Sequence, residues 1–191
     1  MMETVDFLWI VPSTENLCYS NFEQWEGDFI FLNLSQNFRN SREIVKTTLS
    51  YPEQKKYEYK KGLVMPLENF PCGRAPVFVQ TFDKAIKEAR ERTKGGILVI
   101  GVNSPKINEV LNQMNETWKN YNHFQNDFKE NENPYTFLHE GNVLIIDNLV
   151  TYGFEWSTVI IMETDLNSGF VSNHACNLMM RCTTHLIMCK E

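Results

Sequence analysis

The stretch Asn142-Val-Leu-Ile-Ile-Asp-Asn-Leu-Val-Thr-Tyr-Gly-Phe-Glu-Trp-Ser-Thr-Val-Ile-Ile-Met-Glu163 decides the fold. It holds two short apolar runs, 143–146 and 159–162, both rich in β-branched residues and neither alternating. Runs of that kind suit strands buried on both faces, as in a parallel sheet covered by helices. Between them lie Gly153, where the backbone can adopt positive φ or approach a ligand closely, and Glu155, held between Phe154 and Trp156.

Outward from this stretch the same alternation continues. Upstream, Ile97-Leu-Val-Ile100 is another buried strand and Val77-Phe-Val-Gln80 a further one. Between them, residues 82–94 form the clearest helix. Phe82, Ala85, Ile86 and Ala89 make its apolar stripe, Asp83–Lys87 and Glu88–Arg92 are spaced i,i+4, and Gly95-Gly96 stops it. A second helix is expected over 106–119, and residues 121–142, rich in Asn and Glu, read as a loop of low order. Downstream, 165–172 reads as a loop, 173–181 as a helix and 185–189 as the closing strand. Nearer the N-terminus, Phe7-Leu-Trp-Ile-Val11 and Phe29-Ile-Phe-Leu-Asn-Leu34 read as strands, with an irregular acidic connection between them. Asn40 or Ser41 is placed to cap a helix over 42–50, which Tyr51-Pro52 ends. Residues 62–76, with three prolines and two glycines, form a loop. Strands alternating with helices predict an α/β fold with a mainly parallel sheet and helices on both faces. In such sheets ligands sit at the carboxyl ends of the strands, and Arg39, Gly153 and Glu155 are each read as following a strand end.

Composition sets outer limits. The 191 residues suffice for one core without disulfides or metals, and 42% hydrophobic with 22% charged residues is ordinary for a globular chain. A net charge of −6 argues against a wholly basic surface for nucleic acid, leaving room for a local groove. Lys55, Lys56, Lys60 and Lys61, interleaved with Tyr57 and Tyr59, form one basic aromatic patch. Such a patch tracks a phosphate backbone or is simply a solvated loop. No apolar run reaches the length of a membrane span, so no membrane partner is expected, and the N-terminus has no secretory pattern. Five cysteines without a CxxC pair point to reduced thiols and an intracellular setting, cytoplasm or nucleus. His174, Cys176, Cys182 and His185 cluster in sequence, but not at zinc-module spacing, so no metal site is assigned.

The opening stretch resembles motif V of superfamily 1 helicases: a strand, a Gly-apolar-Glu-aromatic turn and a second strand. Leu34-Ser-Gln-Asn-Phe-Arg-Asn-Ser-Arg-Glu-Ile-Val45 resembles motif IV, an Asn-aromatic-Arg element opening a helix. Leu178-Met-Met-Arg-Cys-Thr-Thr-His-Leu-Ile-Met188 resembles motif VI, an arginine near a helix end before a final strand. The three occur in the family's order, over about residues 25–189. The resemblance implies the second RecA-like motor domain of a helicase-like ATPase, most similar to the Schlafen-type group. Residues 1–24 would then be a remnant strand and linker from a preceding motor domain, and 25–191 the second domain.

By that resemblance Arg39 and Arg181 match arginines that reach across an interdomain cleft to the γ-phosphate of ATP. Arginine suits the task because its planar fork stays charged and binds bidentately. Glu155 matches the acid that hydrogen-bonds the nucleotide ribose, with Gly153 beside it. Read without the order of these motifs, the arginines are better taken as surface ion-pair partners and Glu155 as a residue that caps or solvates a strand turn. The sequence also departs from the family. The residues before Gly153 lack the His and Lys of repair helicases, Met180 and Cys182 flank Arg181, and motif III is degraded to Pro12-Ser-Thr-Glu-Asn16. There is no G-x-x-x-x-G-K-[ST] and no paired acids to hold Mg²⁺. ATP with Mg²⁺ is therefore expected only with a partner P-loop motor domain, in cis or in trans, and single-stranded nucleic acid is the second partner the resemblance implies. The other reading is a non-catalytic interaction module that kept the fold and lost the motor.

Overall fold

The computed structural model describes residues 37, 39–51, 64–101, 104–151, 153–163 and 175–191. All belong to one compact unit, Gln36–Glu191. The strands expected at 7–11 and 29–34, the basic patch at 55–61, the loop at 165–172 and the boundary between residues 24 and 25 lie outside the described residues. Among the described residues, six strands form one sheet: β1 (Val77–Val79), β2 (Ile97–Ile100), β3 (Trp118–Tyr121), β4 (Val143–Ile146), β5 (Trp156–Met162) and β6 (Cys182–Cys189). Their order is β1-β6-β5-β2-β4-β3, and every neighbouring pair is parallel. The α/β class with a parallel sheet is thus the observed architecture.

Among the described residues, five helices cover the sheet: α1 (Arg42–Ser50), α2 (Phe82–Arg92), α3 (Pro105–Gln113), α4 (Pro134–His139) and α5 (Ala175–Met179). The two-residue period of the strands separates two cores. Leu98 and Ile100, Leu144 and Ile146, and Val159 and Ile161 face Ile44 of α1, Leu138 of α4 and Leu178 and Met179 of α5. Ile97 and Val99, Val143 and Ile145, and Ile160 and Met162 face the apolar stripe of α2 with Ile107 and Leu111 of α3. β2 and β4 are therefore apolar at every position because each of their faces meets a helix layer. No helix among the described residues is long and apolar enough to cross a membrane.

Two expectations are corrected. The helix predicted over 106–119 ends at Gln113, and its last residues belong to the edge strand β3. Asn115 turns the chain with φ +54°, and Glu116 N–H returns to the Leu111 carbonyl at 2.9 Å, a left-handed helix stop. Residues 121–142, expected to be a poorly ordered loop, contain α4 and a dense set of bonds. Asn133 accepts the Tyr135 N–H at 2.8 Å and Pro134 takes the first helical position, so the Asn-Pro pair starts a helix rather than a loop. Asp127 Oδ2 accepts the Asn120 backbone and side-chain N–H groups at 2.8 and 2.9 Å, and Phe128 packs between Tyr121 and Phe137. The polar residues counted as disorder signals are spent on side-chain-to-backbone bonds.

β6 carries an acid-sensitive position. Burial pushes the His185 imidazole pKa below its usual value, and the Arg92 and Arg74 charges add to this. Its Nδ1 is buried without a hydrogen-bond partner. The unfolded chain therefore binds this proton more readily than the folded chain does. Stability contributed by neutral His185 is present above the unfolded histidine range, about pH 6.5, and is lost as pH falls below it. A denaturant midpoint that declines between pH 7 and pH 5 in the wild-type chain, and a shallower decline in His185→Gln, is the expected result.

Candidate functional site

Three sequence stretches far apart in the chain meet at one end of the sheet. The first enters α1. Asn37 Oδ1 accepts the backbone N–H groups of Arg39 at 2.9 Å and Asn40 at 3.1 Å, a side-chain turn that sets the Arg39 backbone just ahead of the helix. Ser41 holds the capping position with extended backbone, yet its side chain makes no capping bond. The first helical amides go instead to the carbonyls of Pro71 (3.4 Å from Arg42) and Cys72 (3.0 Å from Glu43). Asn40, the other candidate cap, is fully buried and directed elsewhere.

The second stretch returns from the carboxyl end of β4 to the amino end of β5. Asp147 anchors its start: one carboxylate oxygen accepts Leu149 and Val150 N–H, each at 3.0 Å, and the other accepts His123 N–H at 2.8 Å. Gly153 adopts φ +90°, and a Cβ there would meet nothing within 4 Å. Its backbone conformation, not crowding, calls for glycine. Tyr135 O–H donates to its carbonyl. Phe154 is buried and stacks on Tyr135 at 5.1 Å, while Trp156 Nε1 donates to the Gly96 carbonyl at 2.7 Å. With both aromatic neighbours anchored, Glu155 is left on the rim.

The third stretch runs from α5 into β6. Arg181 O accepts the Trp156 N–H at 3.0 Å, so Arg181 sits beside Glu155 at the amino ends of β5 and β6. Its Nη2 donates to Asn177 Oδ1 at 2.8 Å. The first and third stretches are joined by Ser41 N–H to Thr183 O at 3.1 Å and by the Asn40 amide, which donates to Met180 O at 2.8 Å and Cys182 O at 2.7 Å. The first and second are joined by the side chains themselves: Arg39 Nη1 lies 2.5 Å from Glu155 Oε1. Both members of that pair stay open to water, with side chains 49% and 34% exposed. An ion pair that exposed contributes at most about 1 kcal/mol to stability.

Arg39, Gly153, Glu155 and Arg181 are thus brought together, but not where expected. Glu155 precedes Trp156, the first residue of β5, and Arg181 precedes Cys182, the first of β6, so the cluster lies at the amino ends of these strands. In a parallel sheet each connection leaves a carboxyl end and must arrive at an amino end. Residues late in a connection belong to the second of these. Asn40 is the residue that sequence reasoning missed. Asparagine before Ser-Arg-Glu is also what a helix start looks like, and the carbonyls it binds lie 140 and 142 positions away.

The described side chains supply guanidinium groups and one carboxylate, which suit polyphosphate and a ribose hydroxyl. They do not supply a cation cage: no group of three His, Cys, Asp or Glu among the described residues could hold a metal. Cys182 is unsuited to ligation on its own account, since burial pushes its thiol up to about 12 and it donates to Ser157 O at 3.6 Å.

No family model and no curated protein matches this sequence. Among solved structures it is similar to the C-terminal domain of a possible DNA helicase from a Lactobacillus, strain WCFS1. Identity is 13% and the TM-score 0.49, over 80% of this chain and 87% of that one.

Proposed function

We propose that the chain is the second RecA-like motor domain of a superfamily 1 helicase-like ATPase, of the Schlafen-type group. In this reading it supplies the arginine side of a composite ATP site and part of a single-stranded nucleic-acid track. The observation that carries the reading is the Arg39–Glu155 contact, made between residues 116 positions apart and beside Arg181. The three stretches singled out by resemblance need not have met at all in an unrelated α/β domain.

In this reading the ribose hydroxyl competes with Arg39 for Glu155, and the γ-phosphate receives the released Arg39 together with Arg181. Both arginines stabilise charge that grows on the transferring phosphoryl oxygens. The partner P-loop domain supplies the phosphate cradle, Mg²⁺ and the positioned water. One feature favours the non-catalytic reading: Arg39 already has its charge matched within the domain by Glu155.

The test is reconstitution. The chain is mixed with a separately expressed P-loop motor domain, and ATP turnover is followed. The motor reading expects turnover that needs both parts and falls about 10³-fold or more in Arg181→Ala, the scale of losing an arginine finger. Turnover unchanged by adding the chain, or by Arg181→Ala, supports the interaction-module reading.

A further inference from the structure

We propose that Asn40 is a positioning residue that couples Arg39 to Arg181, holding the two arginines as one unit toward a shared polyphosphate. The inference rests on the reading of those arginines given above. Asn40 is 0% exposed, and a buried amide costs free energy unless all of its capacity is used. Here it is used on both sides. Nδ2 spends its two hydrogens on Met180 O (2.8 Å) and Cys182 O (2.7 Å), the carbonyls on either side of Arg181. Oδ1 accepts from Asn37 Nδ2 at 3.2 Å and from Arg39 Nε at 3.4 Å. The orientation is forced, because a flipped amide would set an oxygen against two carbonyl oxygens.

One rigid planar group therefore touches the Arg39 side chain through its oxygen and, through its nitrogen, the carbonyls of Met180 and Cys182 that flank Arg181. The chemistry selects asparagine. Aspartate has no hydrogen for the two carbonyls, and serine reaches one acceptor at most. A device that only tied α1 to β6 would not need the Arg39 contact, since Ser41 N–H already bonds Thr183 O.

The test uses the full chain with ¹⁵N-labelled arginine, following the Nε–H resonances of Arg39 and Arg181 by NMR. Asn40→Asp is the main variant and Asn40→Ser the second, for use if the first does not fold. In the absence of ligand, either substitution is expected to move both resonances, because the Asn40 amide bonds to the backbone carbonyls flanking Arg181. In Asn40→Asp the displacement should lessen as pH is lowered, because a protonated carboxyl regains one donor; a simple packing defect has no such pH profile. Inorganic triphosphate is then titrated. The wild-type chain should shift both resonances with one affinity, and the variants should bind about tenfold more weakly, the equivalent of one net hydrogen bond. An unmoved Arg181 resonance in a folded variant, with wild-type affinity, overturns the coupling. Wild-type resonances insensitive to triphosphate, with the ligand-free displacement intact, overturn instead the phosphate role of the arginines.

Discussion

The chain alone is expected to leave ATP unhydrolysed, despite carrying both arginines. An arginine lowers the barrier only where nucleotide, Mg²⁺ and the attacking water are already held, and nothing in the sequence supplies the phosphate-cradling loop. The described residues offer no three-ligand cation site either. Loss of an arginine finger alone costs about 10³ to 10⁵ in rate, and loss of the cradle and metal should cost at least as much. Affinity should be weak as well, because Arg39 must leave Glu155, 2.5 Å away, before both can serve a nucleotide. A phosphate-release assay on the purified chain, with Arg181→Ala as a control for contaminants, checks this. Turnover on the order of 1 s⁻¹ that disappears in Arg181→Ala would show a complete site on this chain.

Gly96→Ala is expected to lower stability by about 3 kcal/mol, the upper end of what overpacking a close contact costs. A Cβ at Gly96 would collide with the Leu138 carbonyl oxygen, and it would stand 2.8 Å from the Leu138 carbon and 2.9 Å from its Cα. These are backbone atoms at the end of α4, and they cannot move aside like the tip of a side chain. The Gly96 carbonyl also receives Trp156 Nε1, so any retreat by the chain disturbs the turn that presents Glu155. For a domain of this size the change in Tm is about 10 °C. Gly95→Ala is the matched control: the nearest contact for its Cβ is Thr93 Oγ1 at 3.3 Å, a side-chain atom. Thermal unfolding of the two variants should differ widely. Equal midpoints would mean that α4 does not pack on β2 as described.

The adjacent glycines also show where sequence reading stops. Gly95-Gly96 reads correctly as the end of α2, but the need for Gly96 comes from Leu138, a residue 42 positions later that approaches only once α4 has packed. Local signals fared well where one element determined them. The uniform apolar runs of β2 and β4 and the stripe of α2 carry their own periodicity, and the structure reproduces them within a residue or two. β3 was absorbed into the preceding helix because Trp-Lys-Asn-Tyr has no apolar period of its own. Its place is set by pairing with β4 at the sheet edge. The meeting of Arg39, Glu155 and Arg181 was legible through the order of three short patterns. Which end of the sheet they occupy was not, because a connection nine residues long between β4 and β5 serves both ends.

That question gives the most direct measurement. The labelled chain is mixed with a separately expressed P-loop motor domain and a non-hydrolysable ATP analogue, and backbone amide shifts are mapped. The perturbed amides should gather at residues 39–41, 153–156 and 180–183, around the amino ends of β5 and β6. Perturbation concentrated instead at residues 123–125 and 147–150, at the carboxyl ends of β3 and β4, with the arginine region silent, would contradict the assignment of the site.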